Sequence, residues 1–124
     1  MFNEITRLPE FEKDMKKLLK RFRTLEDDLD VFIKVGLTAY HKLGIDNGGI
    51  FQISELQFEQ PKIFKVKKFA SRSLKGRGVH SGIRITYAYF EKEDRIEFIE
   101  IYFKSGQVNE DRERIKKYYK RKGK

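Results

Sequence analysis

Lysine and arginine side chains are concentrated in one part of this sequence, and they are the groups best able to do chemistry. The 124-residue chain has 28 basic and 19 acidic residues, but residues 60–90 contain eight basic residues and no acidic one. The eight are Lys62, Lys65, Lys67, Lys68, Arg72, Lys75, Arg77 and Arg84. Like charges at this density repel one another. An anionic partner such as a phosphate backbone is the simplest compensation, and a solvated surface kept for solubility is the alternative.

These cations, together with nearby tyrosines, are suited to one kind of reaction. Lysine and arginine can hold an RNA backbone, favour attack of a 2′-hydroxyl on the adjacent phosphate, and stabilise the charge that develops, all without a metal. A tyrosine can stack on a base or move a proton. A plain RNA-binding surface would use the same residue types. These lysines, arginines and tyrosines are therefore compatible with both RNA cleavage and simple RNA binding.

Other chemistries find little support in the sequence. There is no cysteine, and His41 and His80 fall on different predicted elements, so neither a metal site nor a cofactor is expected. His41 is predicted to lie on a helix surface, and His80 lies in the basic loop as a candidate general base. Glu97 and Glu100 are predicted on opposite faces of one strand, which argues against a paired-carboxylate site.

The spacing of apolar residues predicts an α+β fold in a single domain over residues 1–124. An N-terminal strand and a helical hairpin are predicted to pack on a mostly antiparallel sheet, and a polar helix follows the last strand. All helices are predicted on one face of this sheet. Residues 50–53 fit either a brief strand or an irregular loop. The predicted elements are a strand over 2–8, the hairpin over 10–43, strands over 63–69, 83–89 and 96–104, and a helix over 109–122.

The last predicted strand has apolar residues on both sides, which is typical of a central strand. Strict alternation places Ile99, Ile101 and Phe103 on one face and Ile96 and Phe98 on the other.

The element order and four short motifs resemble the RelE/ParE superfamily of toxins from toxin–antitoxin systems. The motifs are FEKDMKKL at 11–18, FKVK at 64–67, GIRITY at 82–87 and IEIYFK at 99–104. The resemblance covers about residues 2–118. It implies that family's fold, in which two helices pack on an antiparallel sheet.

The resemblance also implies an activity. RNA-cleaving members of the family cut messenger RNA on the ribosome with basic residues of their strands, and those positions fall here on Lys65, Lys67, Arg84 and Lys104. The remaining basic residues of the window are predicted to bind RNA: Lys62, Lys68, Arg72, Lys75 and Arg77. A family tyrosine beyond the last strand has no clean counterpart, and Tyr102, Tyr118 and Tyr119 are the candidates to replace it.

On this interpretation the chain is a metal-independent, ribosome-dependent endoribonuclease that inhibits translation. Its partners would be messenger RNA, the ribosome and an antitoxin whose acidic segment masks the basic face. Two other interpretations stay open. One is a non-catalytic gyrase inhibitor, as in the ParE branch, and the other is a simple RNA- or ribosome-binding protein.

The sequence favours a cytoplasmic location without membrane contact. The absence of cysteine fits a reducing compartment, and no apolar run approaches the length that spans a bilayer. The first seven residues lack the basic-then-apolar order of a signal peptide.

Overall fold

The computed structural model describes residues 1–120, which form one five-stranded sheet with helical segments on both sides. In chain order the elements are β1 (Glu4–Arg7), α1 (Pro9–Leu19), α2 (Leu25–Phe32), a π-helical turn (Ile33–Leu37), α3 (Thr38–Lys42), β2 (Ile50–Gln52), β3 (Lys62–Val66), β4 (Ile83–Phe90), β5 (Arg95–Phe103) and α4 (Arg112–Tyr119). Within the described residues, no helix combines the length and apolar character needed to cross a membrane.

The strands lie in the order β1-β5-β4-β3-β2. β1 pairs with β5 in parallel, and the other three pairings are antiparallel. The predictions of an α+β fold and of a mostly antiparallel sheet are therefore confirmed. Residues 50–52 form an edge strand against β3, so the strand alternative is the correct one for this stretch.

The α1 helix is amphipathic. Pro9 opens the helix, where its fixed φ is favourable and its missing N–H donor costs nothing. Phe11 and Met15 are buried in the core, while Lys16 and Lys17 on the other side of the helix are exposed. Through these apolar residues, α1 packs against β5.

The second predicted helix forms with an irregularity at its centre. α2, the π turn and α3 follow one another without a gap, and the wider i→i+5 turn lies at Ile33–Leu37. Gly44 ends the helix with φ of 69°, a left-handed conformation that favours glycine. The Ile45 N–H then donates to the Ala39 carbonyl at 2.9 Å and closes the last turn.

A β-bulge in β5 makes the predicted strict alternation wrong. Thr86 pairs with Glu100 and Tyr87 pairs with Phe98, so Ile99 is an extra residue with no partner on β4. The extra residue reverses the alternation, and Phe98 and Ile101 consequently belong to the same core. A bulge depends on the neighbouring strand, so a pattern within one strand does not reveal it.

The sheet is covered on both faces, which corrects the prediction that all helices pack on one face. On the first face, α1 and α2 pack on residues such as Phe64, Ile85 and Phe98. On the second face, α4 and the segment after β2 bury a smaller cluster, which comprises Leu8, Ile53, Leu56, Ile63, Ala88, Ile99 and Ile115. The final helix was predicted over 109–122, and positions 121 and 122 lie outside the described residues.

Candidate functional site

The four predicted catalytic positions lie at one end of the second face. Arg84 pairs with Tyr102 across β4 and β5, and its Nη1 donates to the Lys67 carbonyl at 2.8 Å. Lys65 lies two residues before Lys67, next to β4. Lys104 follows Tyr102 by two residues, and its N–H donates to the Gly82 carbonyl at the start of β4. The strand register thus places the four residues on, or just beyond the ends of, the neighbouring strands β3, β4 and β5.

Of the four, Lys65 is the one with an ion-pair partner in the part of the chain that the structure describes. Its Nζ lies 2.7 Å from Oε1 of Glu110, and the two side chains are only 13% and 9% exposed. The other oxygen of Glu110 lies 3.2 Å from Nε of Arg112. Burial alone would raise the pKa of Glu110, but the hydrogen bond and charge of Lys65, with the charge of Arg112, lower it. The carboxylate therefore stays ionised and neutralises Lys65.

Lys67, Arg84 and Lys104 form no ion pair with a carboxylate among residues 1–120. The Lys67 ammonium instead lies over the ring of Phe51, 5.3 Å from its centroid. Glu97 and Glu100 lie on the same sheet face, and neither one forms a hydrogen bond or an ion pair with Arg84. Within residues 1–120, the hydrogen-bond partner of the Arg84 guanidinium is a main-chain carbonyl.

Glu100 is a buried acid on the second face, next to these cations. Its oxygens accept hydrogen bonds from the Thr86 hydroxyl, the Gln107 amide and the Asp111 main-chain N–H at 3.3, 3.1 and 2.7 Å. Burial raises its pKa, and the hydrogen bonds from the Asp111 N–H and the Gln107 amide oppose that effect. The bulge at Ile99 also corrects the prediction that Glu97 and Glu100 lie on opposite faces.

Of the three candidate tyrosines, Tyr102 lies beside the four cations. Its hydroxyl is buried and has no hydrogen-bond partner among the described residues. Burial raises its pKa, the charges of Glu100 and Glu110 raise it further, and Arg84 lowers it. Tyr119 instead donates its hydroxyl to Glu97 at 2.8 Å, and Tyr118 is exposed on α4.

A groove between α1 and the end of β5 adds basic residues that the sequence reasoning did not select. It holds about 320 Å³ and is lined by Lys17, Arg21, Tyr102 and Gln107, among others. The Arg21 guanidinium stacks on the ring of Phe103, 4.9 Å from its centroid. The helical period placed Lys17 and Arg21 on one polar face, but only the packing of α1 on β5 shows that they border Tyr102.

The five residues predicted to bind RNA are not gathered with these four. Lys62 lies 3.7 Å from Glu91, at the opposite end of β3. Lys68 and Arg72 lie near α2, where Lys68 donates to the Asn47 carbonyl and Arg72 pairs with Asp27 and Asp28. Lys75 and Arg77 are exposed in the loop that follows. The basic window is thus divided between the two sides of the sheet.

The loop that follows β3 is attached to the start of α2 by a hydrogen-bond network. Asp28 is buried and accepts from the hydroxyls of Thr24 and Ser71, both at 2.7 Å. The Ser73 N–H donates to the Thr24 hydroxyl at 3.0 Å. This network joins residues more than 40 positions apart, so no local motif indicates it.

His41 is not a helix-surface residue as predicted. Its Nε2 lies 2.7 Å from the Tyr87 hydroxyl, and its ring is packed among aromatic side chains. Tyr87 and Tyr89 are buried in the same core as Ile83 and Ile85 of β4. Within residues 1–120, no three His, Asp or Glu side chains form a group that could hold a metal ion.

The fold and this face together define an α+β protein with a cluster of cations on one end of a mixed sheet. No protein-family model, curated protein or solved structure matches the chain. The likeness to the RelE/ParE superfamily therefore stays a prediction that rests on the sequence motifs.

Proposed function

We propose that the chain is the toxin of a toxin–antitoxin system and cleaves messenger RNA on the ribosome without a metal, in the manner of the RelE branch that it resembles. The observation that supports this most is the state of Arg84. Its guanidinium is on a central strand, between Lys67 and Tyr102, with a carbonyl as its only hydrogen-bond partner in the described residues. A phosphodiester would supply the missing negative charge.

In the proposed reaction the RNA 2′-oxygen forms a bond to the adjacent phosphorus, and the bond from that phosphorus to the 5′-oxygen breaks. The 2′-hydroxyl proton leaves to a base, and the 5′-oxygen leaving group gains a proton. Arg84, Lys67 and Lys104 would hold the phosphate and stabilise the added charge on its oxygens. Tyr102, which pairs with Arg84 across the two strands, is the candidate for the proton transfers.

The ion pair between Lys65 and Glu110 imposes a condition on this reaction. The Glu110 carboxylate contacts Lys65 in the way that a phosphate would. Lys65 can therefore bind RNA only when Glu110 moves away. The segment 104–111 that carries Glu110 would have to shift on the ribosome.

The same ion pair favours a second candidate function, which is RNA or ribosome binding without cleavage. With Lys65 neutralised, the remaining cations still form an anion-binding surface. In that case Lys67, Arg84 and Lys104 would bind RNA, and no bond would break.

The test is induced expression followed by primer extension on two reporter messengers, one translated and one with a disabled start codon. New 5′ ends in the translated reporter only, absent with Arg84→Ala and present with Lys92→Ala, are expected. Lys92 is a matched control because it is an exposed cation in the turn between β4 and β5, at the opposite end of β4 from Arg84.

Other outcomes would reject cleavage. Growth arrest without new ends would turn attention to a gyrase target, and RNA binding without arrest would favour the simple binding protein. Ends that persist with Arg84→Ala would remove Arg84 from the proposed mechanism.

A further inference from the structure

Exposed apolar side chains are concentrated along the outer side of the continuous helix that α2, the π-helical turn and α3 form together. Val31 and Val35 are 61% and 65% exposed and lie four residues apart, so they share one helical face. Val79 from the loop before β4 and Ile45 beyond the helix end are also exposed. Because these four residues line two adjoining cavities, they form one patch instead of scattered surface residues.

The patch is concave. A groove of about 290 Å³ runs between the helix and the segment that contains Ala70 and Val79, and a narrower cavity of about 110 Å³ continues towards Ile45. The Phe32 ring forms part of its wall and lies directly against Gly36, where a Cβ atom would be only 2.6 Å from the ring. The groove is near the lower end of the size range for ligand sites and suits inserted side chains.

The polar residues that line this groove include the cations Lys68 and Arg72 and the neutral Asn47. Lys68 lines both cavities, and its Nζ donates to the Asn47 carbonyl with no carboxylate partner in the described residues. Arg72 lies at one end with its side chain 69% exposed, and it is already paired with Asp27 and Asp28, so Lys68 is the cation left for a ligand. Asp28 also lines the groove, but it is buried and its oxygens already accept hydrogen bonds from protein groups.

We propose that this groove binds an acidic segment of a partner protein. Apolar side chains of the segment would enter between Val31, Val35 and Val79, and a carboxylate would meet Lys68. Phosphate groups of a nucleic acid would leave the valines exposed. A second copy of this chain, with a net charge of +9, would bring further positive charge to a basic rim. An acidic amphipathic segment satisfies both the apolar and the cationic parts of the groove.

This docking surface is independent of the proposed RNA cleavage. The groove lies on the side of the sheet that carries α2, whereas Arg84 and Tyr102 lie on the second face. A bound segment would therefore leave the Arg84 end of the sheet open. The partner would act as a tether or a regulator instead of covering the cations.

The experiment is a selection of displayed random 16-residue peptides on the full-length protein. Binding of the enriched peptides is then measured by fluorescence anisotropy to wild type, Val35→Asp, Lys68→Gln and Val108→Asp. Val108 is the matched control, since it is 84% exposed and lines neither cavity. Each substitution is at the surface, and circular dichroism checks that the variants fold.

The expected peptides carry aspartate or glutamate beside apolar residues at helical spacing. They should bind Val35→Asp at least about tenfold more weakly than wild type, because a carboxylate would replace an apolar contact. Lys68→Gln should also weaken them, with Val108→Asp unchanged. Equal binding to Val35→Asp, peptides without acidic residues, or no enrichment at all would overturn the proposal. A wild-type dimer that Val35→Asp converts to a monomer would assign the groove to a second copy.

Discussion

His41 tests the packing of the core, because the burial of its ring makes the free energy of unfolding depend on pH. The ring stacks near Tyr89, with 4.2 Å between centroids, and Nε2 lies 2.7 Å from the Tyr87 hydroxyl. Burial lowers the pKa of His41 from its ordinary 6.5 to about 4, and the charges of Lys42 and Lys62 act in the same direction. The folded protein therefore keeps this imidazole neutral at pH values where the unfolded chain protonates it.

The sign of the effect follows from counting protons. Between pH 6.5 and about 4 the unfolded state binds one more proton at His41, so acid favours unfolding. The contribution is complete above pH 6.5 and is lost as the pH falls towards 4. The full shift corresponds to about 3.4 kcal/mol at 1.36 kcal/mol per pH unit. His41 is only partly buried, so solvent screening reduces this to about 1–2 kcal/mol.

The perturbation is His41→Gln, and the assay is urea unfolding at several pH values from 7.5 to 4.5. Wild type should lose stability relative to the variant by about 1 kcal/mol between pH 7 and pH 5, since the variant cannot titrate there. His80→Gln is the matched control, because His80 is exposed in the loop before β4. A constant stability difference between wild type and His41→Gln across this range would refute the reasoning. So would an NMR titration that places the pKa of His41 near its ordinary value.

Two further predictions concern the second face. Glu110→Gln removes the charge that neutralises Lys65, so affinity for a single-stranded RNA should rise about twofold to tenfold at low salt. Anisotropy titration checks this, and unchanged affinity would show that Glu110 does not mask Lys65. Ile115→Ala empties a fully buried position under α4 and should lower the free energy of unfolding by about 2–4 kcal/mol. Val108→Ala, at an exposed position, should change it by less than about 0.5 kcal/mol in the same urea titration.

Local patterns were sufficient for most individual elements. The spacing of Phe11 and Met15 predicted the buried side of α1, and the alternation of Phe64 and Val66 with Lys65 predicted β3. These patterns work because each element must turn its apolar side to one core, whatever the partner is. The predicted strand over 63–69 nevertheless ends at Val66, since Phe69 is buried against Phe32 outside the ladder.

Features that depend on two distant segments were beyond the sequence. The bulge at Ile99 exists only relative to β4, and it decides which residues of β5 face α1. The partner of Lys65 is Glu110, which is 45 residues away and outside the basic window. The composition of the window therefore suggested more unpaired cations than the folded structure has there. The position of Tyr102 among three candidate tyrosines likewise depended on strand register.

The sequence by itself determined the fold class, the order of elements and the presence of a strongly basic region, because these follow from local periodicity and from counting charges. The tertiary structure decided which cations are neutralised, which lie together and which line the groove beside Val35. The physical reason is that ion pairs and apolar contacts act only over a few ångströms. The number of residues between two positions does not fix the distance between their side chains until the strands are paired and the helices are packed.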